Sequence, residues 1–155
     1  MKMMCERELL TQNGDHPVFS IAAKGLDRIE ELEAAHPSTT QAFVAMWFND
    51  TMLPTLKDGI APAIRDAGYE PLRIDHKPHI NKIDDEIIAE IRRSRLLVAD
   101  FTCEPGKVRG GVYFEAGFAL GLGIPVFWTV NEESTKDLHF DTRQYAHIVW
   151  KDAAD

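Results

Sequence analysis

From Gln41 onwards, short apolar runs alternate with longer stretches of helical periodicity, and this alternation leaves the chain few folds to choose from. Ala42 to Phe48 (AFVAMWF), Tyr69 to Ile74, Leu96 to Phe101, Ile124 to Val130 (IPVFWTV) and His147 to Trp150 (HIVW) read as strands. Met52 to Ala67, Asp84 to Ser94 and Val112 to Gly123 read as helices, with Gly68 placed to stop the first. In the second, Ile87, Ile88 and Ile91 share a face, acids come first, and Arg92 and Arg93 come last, which suits the helix dipole. Leu96 to Phe101 is almost wholly apolar, as a strand covered on both faces should be. The pattern predicts an α/β domain over residues 40–155: a flavodoxin- or Rossmann-like parallel sheet of five strands with helices on both faces.

Residues 1–39 differ in character. Asn13-Gly14-Asp15 between short apolar runs is a hairpin-turn signal. Leu26, Ile29, Leu32 and Ala35 then recur at helical spacing up to His36-Pro37. A hairpin and one amphipathic helix bury little surface alone. They are either the wing and closing helix of a winged-helix remnant or a simple extension packed on the main domain.

Composition excludes several classes of function. Lys and Arg number 17 against 25 Asp and Glu, a net charge of −8. Nucleic acid and anionic membranes both need a cationic face, so neither is an expected partner of this domain. The acidic start lacks a signal-peptide core, and the longest apolar run, Val112 to Ile124, is broken by Glu115 and too short to span a bilayer. Cys5 and Cys103 make no disulfide framework, which fits a reducing, cytoplasmic setting.

In an open parallel sheet, ligands bind beyond the carboxyl ends of the strands, where strand order reverses. Glu115 is the most informative residue near that rim. Apart from the phenol of Tyr113, it is the sole ionisable side chain between Val112 and Ile124. A carboxylate on a buried helix is costly unless it is paired or functional. Its expected place in the first helical turn suits an anion. It is either a desolvated nucleophile or an ordinary helix-start acid, facing water or paired with Arg109.

The stretch VADFTCEPGKVRGGVYFEAGFALGLGIPV resembles the core signature of the nucleoside 2-deoxyribosyltransferase superfamily. An apolar strand ends in an acid, a variable loop follows, and Glu115-Ala116-Gly117-Phe118-Ala119 fills an E-x-G-x-A slot. The run AFVAMWF is similar to the family's opening strand, which contributes to the sugar and phosphate pocket, so Met46, Trp47 and Phe48 become candidate binding residues. The resemblance spans about 110 residues, Gln41 to Trp150. It shades into deoxynucleotide N-hydrolases and TIR-like NAD-cleaving domains. It implies cleavage of the N-glycosidic bond of a nucleotide, deoxynucleotide or NAD, with Glu115 attacking C1′ and no cofactor. It also implies a second carboxylate before the third strand, Asp85 or Asp84, although acids at a helix start need no such role.

One position departs from the family. An Asp often stands six residues before the nucleophile, and here that place holds Arg109. Arg109 with Gly110 and Gly111 suits a phosphate, through bidentate hydrogen bonds and close backbone approach; the plain alternative is a solvated loop cation. Asp100 would bind ribose hydroxyls or cap the next turn. Trp47 and Phe48 would stack a base or fill core. Two motifs fail. His76-x-x-His79 is broken by Lys77-Pro78 and lacks cysteine, so no metal is expected. Gly117, Gly121 and Gly123 lie inside a helix rather than before one, and read as packing glycines. HFDTRQY, 139–145, has no assigned role. The surplus of apolar aromatics, Phe114, Phe118, Phe127 and Trp128, points to a homodimer or larger. The competing functional reading is a catalytically inactive nucleotide sensor or TIR-like interaction module.

Overall fold

A computed structural model describes residues 10–12, 19–27, 39–74 and 83–152. The chain divides into two compact units, Met1–Pro37 and Ser38–Asp155. In the first, β1 (Leu10–Gln12) pairs antiparallel with β2 (Phe19–Ile21), and residues 23–27 are helical. The expected turn at Asn13-Gly14-Asp15 and the helix beyond residue 27 lie outside the described residues.

The second unit is built on β3 (Gln41–Ala45), β4 (Glu70–Leu72), β5 (Leu96–Asp100), β6 (Val126–Asn131) and β7 (His147–Trp150). All pair in parallel, in the order β4-β3-β5-β6-β7. This is the flavodoxin-like order, and its switch point lies between β3 and β5. Period-two alternation splits the core. Phe43, Ala45, Leu97 and Ala99 face one layer, whereas Ala42, Val44, Met46 and Val98 face the other. The first layer holds α2 (Ile83–Arg93) and α3 (Gly110–Gly121). The second holds a helix wound three ways: a 3₁₀ turn at Asp50–Met52, a π-helix over Thr55–Ile60 and α1 over Ala61–Asp66.

Several expectations are corrected. Strand pairing in the first run stops at Ala45, so Trp47 and Phe48 leave the sheet. The helix expected as one piece over Met52 to Ala67 changes winding because Pro62 has no N–H for the ladder and its ring crowds the preceding turn. Just before it, the Ala61 N–H bonds the Leu56 carbonyl five residues back, the π pattern. The third helix starts at Gly110 rather than Val112 and ends at Gly121. Gly123, at φ 76°, closes it: the Gly123 N–H bonds the Leu120 carbonyl and the Ile124 N–H the Ala119 carbonyl. Gly117 and Gly121 are not packing glycines, since a Cβ on either would meet nothing within 4 Å.

The connection from β6 to β7 carries no α-helix. A 3₁₀ segment, Glu132–Asp137, and the turns of 139–145 cover the sheet beside α3 instead. Arg143 braces them, its Nε donating to the Leu138 carbonyl at 2.9 Å and Nη2 to the Lys136 carbonyl at 2.9 Å. Tyr145 stacks on Trp128 at 4.4 Å, and Trp128 stacks on Phe101 at 5.1 Å. The residues 139–145 thus have a structural role, and Trp128 is core rather than surplus.

Candidate active site

Three elements deliver side chains to the rim beyond the strands' carboxyl ends: the turn after β3, the end of β5, and the start of α3. Met46 is buried in the core of the α1 layer with Val44, Met52 and Leu56, so it offers no ligand contact. Trp47 is half-buried, and the Arg109 guanidinium lies 4.3 Å above its ring. Phe48 is exposed, with the Arg73 guanidinium 5.5 Å from its ring. Asn49 turns the chain by accepting from the Thr51 N–H at 2.9 Å and the Thr51 hydroxyl at 2.7 Å. Two residues distant in sequence, Trp47 and Arg109, are thereby brought together.

Arg109 is the N-cap residue of α3, but no side chain caps that helix start. Its Nε is buried and has no hydrogen-bond partner. A buried donor left unpaired is costly, and an incoming acceptor would relieve it. A Cβ on Gly110 or Gly111 would meet nothing within 4 Å, and both glycines are exposed.

Glu115 is the sixth residue of α3, two residues deeper than expected and in the second turn. It therefore misses the unpaired N–H groups of the first turn, which would have held its carboxyl acidic. It is half-buried, and among the described residues nothing donates to it or pairs with it, Arg109 included. Burial alone pushes its carboxyl up from 4.5 to about 7. A desolvated carboxylate without a charge partner is poorly explained by folding needs and suits nucleophilic or proton-transfer chemistry.

Asp100 takes the other of its two expected roles. Its carboxylate is fully buried. It accepts from the Thr129 hydroxyl at 2.7 Å, the Trp150 indole at 2.8 Å and the Thr102 N–H at 3.1 Å. Burial raises its pKa and these bonds work against that rise. It caps the turn after β5 and clamps β5 to β6 and β7, with no face open to a ribose. Asp84 and Asp85 stand in the first turn of α2, and Asp85 is exposed. Sequence reasoning missed Tyr113, whose hydroxyl accepts from the His139 N–H at 3.0 Å and whose ring lies 4.6 Å from Phe101. Its place two residues before Glu115 puts it on a different side of α3 from that carboxyl, against Phe101 and the β6–β7 connection. Cys103 is buried, which raises its thiol pKa and keeps it inert. Among the described residues no group of His, Cys, Asp and Glu gathers to hold a metal, and no helix is long and apolar enough to cross a membrane. His76 and His79 lie outside the described residues.

No protein-family model and no curated protein matches this chain. Among solved structures, the CMP N-glycosidase BcmB of Clostridium botulinum is similar over 73% of this chain and 90% of its own, with a TM-score of 0.55 and 16% identity. A 2-desoxiribosyltransferase of Leishmania mexicana aligns over 58% of this chain with a TM-score of 0.48 and 18% identity. The chain spans 63% of that enzyme's length. By its likeness to BcmB and its five-stranded parallel sheet, the fold is the one that the E-x-G-x-A stretch implied.

Proposed function

We propose that the domain over residues 40–155 cleaves the N-glycosidic bond of a nucleotide, with Glu115 as nucleophile. The observation that carries the reading is the desolvated carboxyl of Glu115, unpaired among the described residues, near the ligand rim of a fold also found in a CMP N-glycosidase. A Glu115 carboxylate oxygen forms a bond to C1′ of the sugar as the C1′–N bond breaks. The base leaves with that electron pair and takes up a proton. Water then attacks the glycosyl ester, releasing the sugar and restoring Glu115. At about pH 7 the group is half ionised, so small changes in its surroundings would govern its readiness to attack.

Arg109 and the exposed glycines at the start of α3 support an anionic substrate. Its guanidinium lies against Trp47 with one donor unused, a geometry that would receive a phosphate or the pyrophosphate of NAD. Since Arg109 covers one face of Trp47, a base would have to stack on the other. Asp85 or Asp84 would assist the leaving base, and Asp85 is exposed.

The test is incubation with nucleosides, their 5′-phosphates and NAD, followed by chromatography for free base. Release from phosphorylated substrates, abolished in Glu115→Gln, is expected. Turnover that survives in Glu115→Gln would sink the assignment.

A further inference from the structure

The sheet layer that holds α1 is only half covered. Its core joins Ala42, Val44, Met46 and Val98 to the helix residues Met52, Leu56, Ala61 and Ile64. Beside that core, β6 and β7 turn Phe127, Thr129, Ile148 and Trp150 towards a cavity of about 460 Å³. The opposite wall is α1 and its π segment, through Ile60, Ala63 and Ile64. Phe127 is 48% and Ile148 58% exposed. A parallel sheet is ordinarily covered on both faces, and a layer about 10 Å deep beside an existing helix has room for one more helix.

The charge around this groove selects the occupant. Asp58 in the π segment and Asp66 in α1 edge it, Asp152 also lines it, and no Lys, Arg or His is among the described lining residues. Asp58 and Asp66 are eight residues apart on the helix, on the order of 10 Å at an α-helical rise. The chain's own amphipathic stretch from Leu26 to Ala35 carries Asp27, Glu30, Glu31 and Glu33 against Arg28 alone, the same sign as the rim. A second copy docked two-fold through this groove would set the carboxylates of Asp58, Asp66 and Asp152 against their own counterparts, which disfavours it here.

We propose that this groove docks a basic amphipathic helix of a partner protein, its apolar stripe on Phe127 and Ile148 and its cationic flank along Asp58 and Asp66. The mode is helix-in-groove, in which spaced apolar anchors supply affinity and flanking charge sets the choice of partner. The surface lies on the opposite side of the sheet from α3, so docking would leave the start of the Glu115 helix open.

The test uses the full chain and two labelled peptides of about 15 residues, with leucines at i, i+3, i+4 and i+7 and either lysine or glutamate on the flanks. Fluorescence anisotropy should show the lysine peptide binding at least about tenfold more tightly than the glutamate peptide. Ile148→Ser should weaken it about tenfold. Asp58→Lys with Asp66→Lys should reverse the preference; both positions are exposed, so this pair remains informative if the Ser variant folds poorly. Equal binding of the two peptides, no binding of either, or indifference to both sets of variants would overturn the proposal. So would a dimer that dissociates in Ile148→Ser, because a second copy would then fill the groove.

Discussion

Replacing Glu115 by Gln should stabilise the protein, and by an amount that depends on pH. The folded chain holds this carboxyl at about 7 against an ordinary 4.5. Between those values the folded state keeps a proton that the unfolded state has released. Stability therefore falls as pH rises through the window and levels off above it. At about 1.36 kcal/mol per pH unit, the full loss is about 3 kcal/mol. Gln has the same shape and never ionises, so its advantage over Glu should grow from near zero at about pH 4 to about 3 kcal/mol at about pH 8. For a chain of this size that is a rise of roughly 6–12 °C in Tm. Urea unfolding followed by tryptophan fluorescence is the assay, because Trp47, Trp128 and Trp150 all lie in the unit Ser38–Asp155. Comparing the two proteins at each pH cancels the other titrating groups. A difference that does not change with pH, or a Gln variant less stable at about pH 8, would refute the argument that Glu115 is desolvated and unpaired. Hydrolysis in the wild type should run the other way, rising with pH through about 7 as the nucleophile ionises.

Arg109→Ala should raise KM for a phosphorylated substrate about tenfold or more, in line with one charge-assisted contact of about 1.5–3 kcal/mol, and leave neutral nucleosides unaffected. Trp150→Phe removes a donor from the buried Asp100 and should cost about 1–3 kcal/mol in urea unfolding; an unchanged midpoint would show that the clamp does not matter. Phe114 is 58% exposed and stacked on Phe118 at 6.2 Å, on the face of α3 turned from the sheet, and a homodimer is expected there. Light scattering that gives 17.5 kDa at micromolar concentration would contradict it.

The sheet was legible because each strand is an apolar run that needs both faces covered. Its edges were less so. β4 is a three-residue edge strand with Pro71 inside it, and proline limits the ladder in a way that a run of apolar letters does not. The start of α3 was misplaced because Gly110 and Gly111 are poor helix formers, yet they begin it. That two-residue error moved Glu115 out of the first turn and hid the reason its carboxyl is weakly acidic. Asp100 was placed rightly at a strand end and its cap on Thr102 is local, but its other two partners are 29 and 50 residues away, beyond the reach of local periodicity. The same is true of the guanidinium of Arg109 on Trp47.

The aromatic stack under the rim makes the protein its own optical probe. Tyr113, two residues before Glu115, touches Phe101, which lies on Trp128, which lies in turn on Tyr145 with the two ring planes 2° apart. Chromophores held so close and so nearly coplanar couple their transitions, and the resulting near-ultraviolet circular dichroism depends on the seating of the β6–β7 connection. A ligand that displaces Tyr113 at one end of the chain of rings would alter that band at the other. The seating of that connection can then be followed in the unlabelled protein, including in Glu115→Gln, where no product forms to be counted.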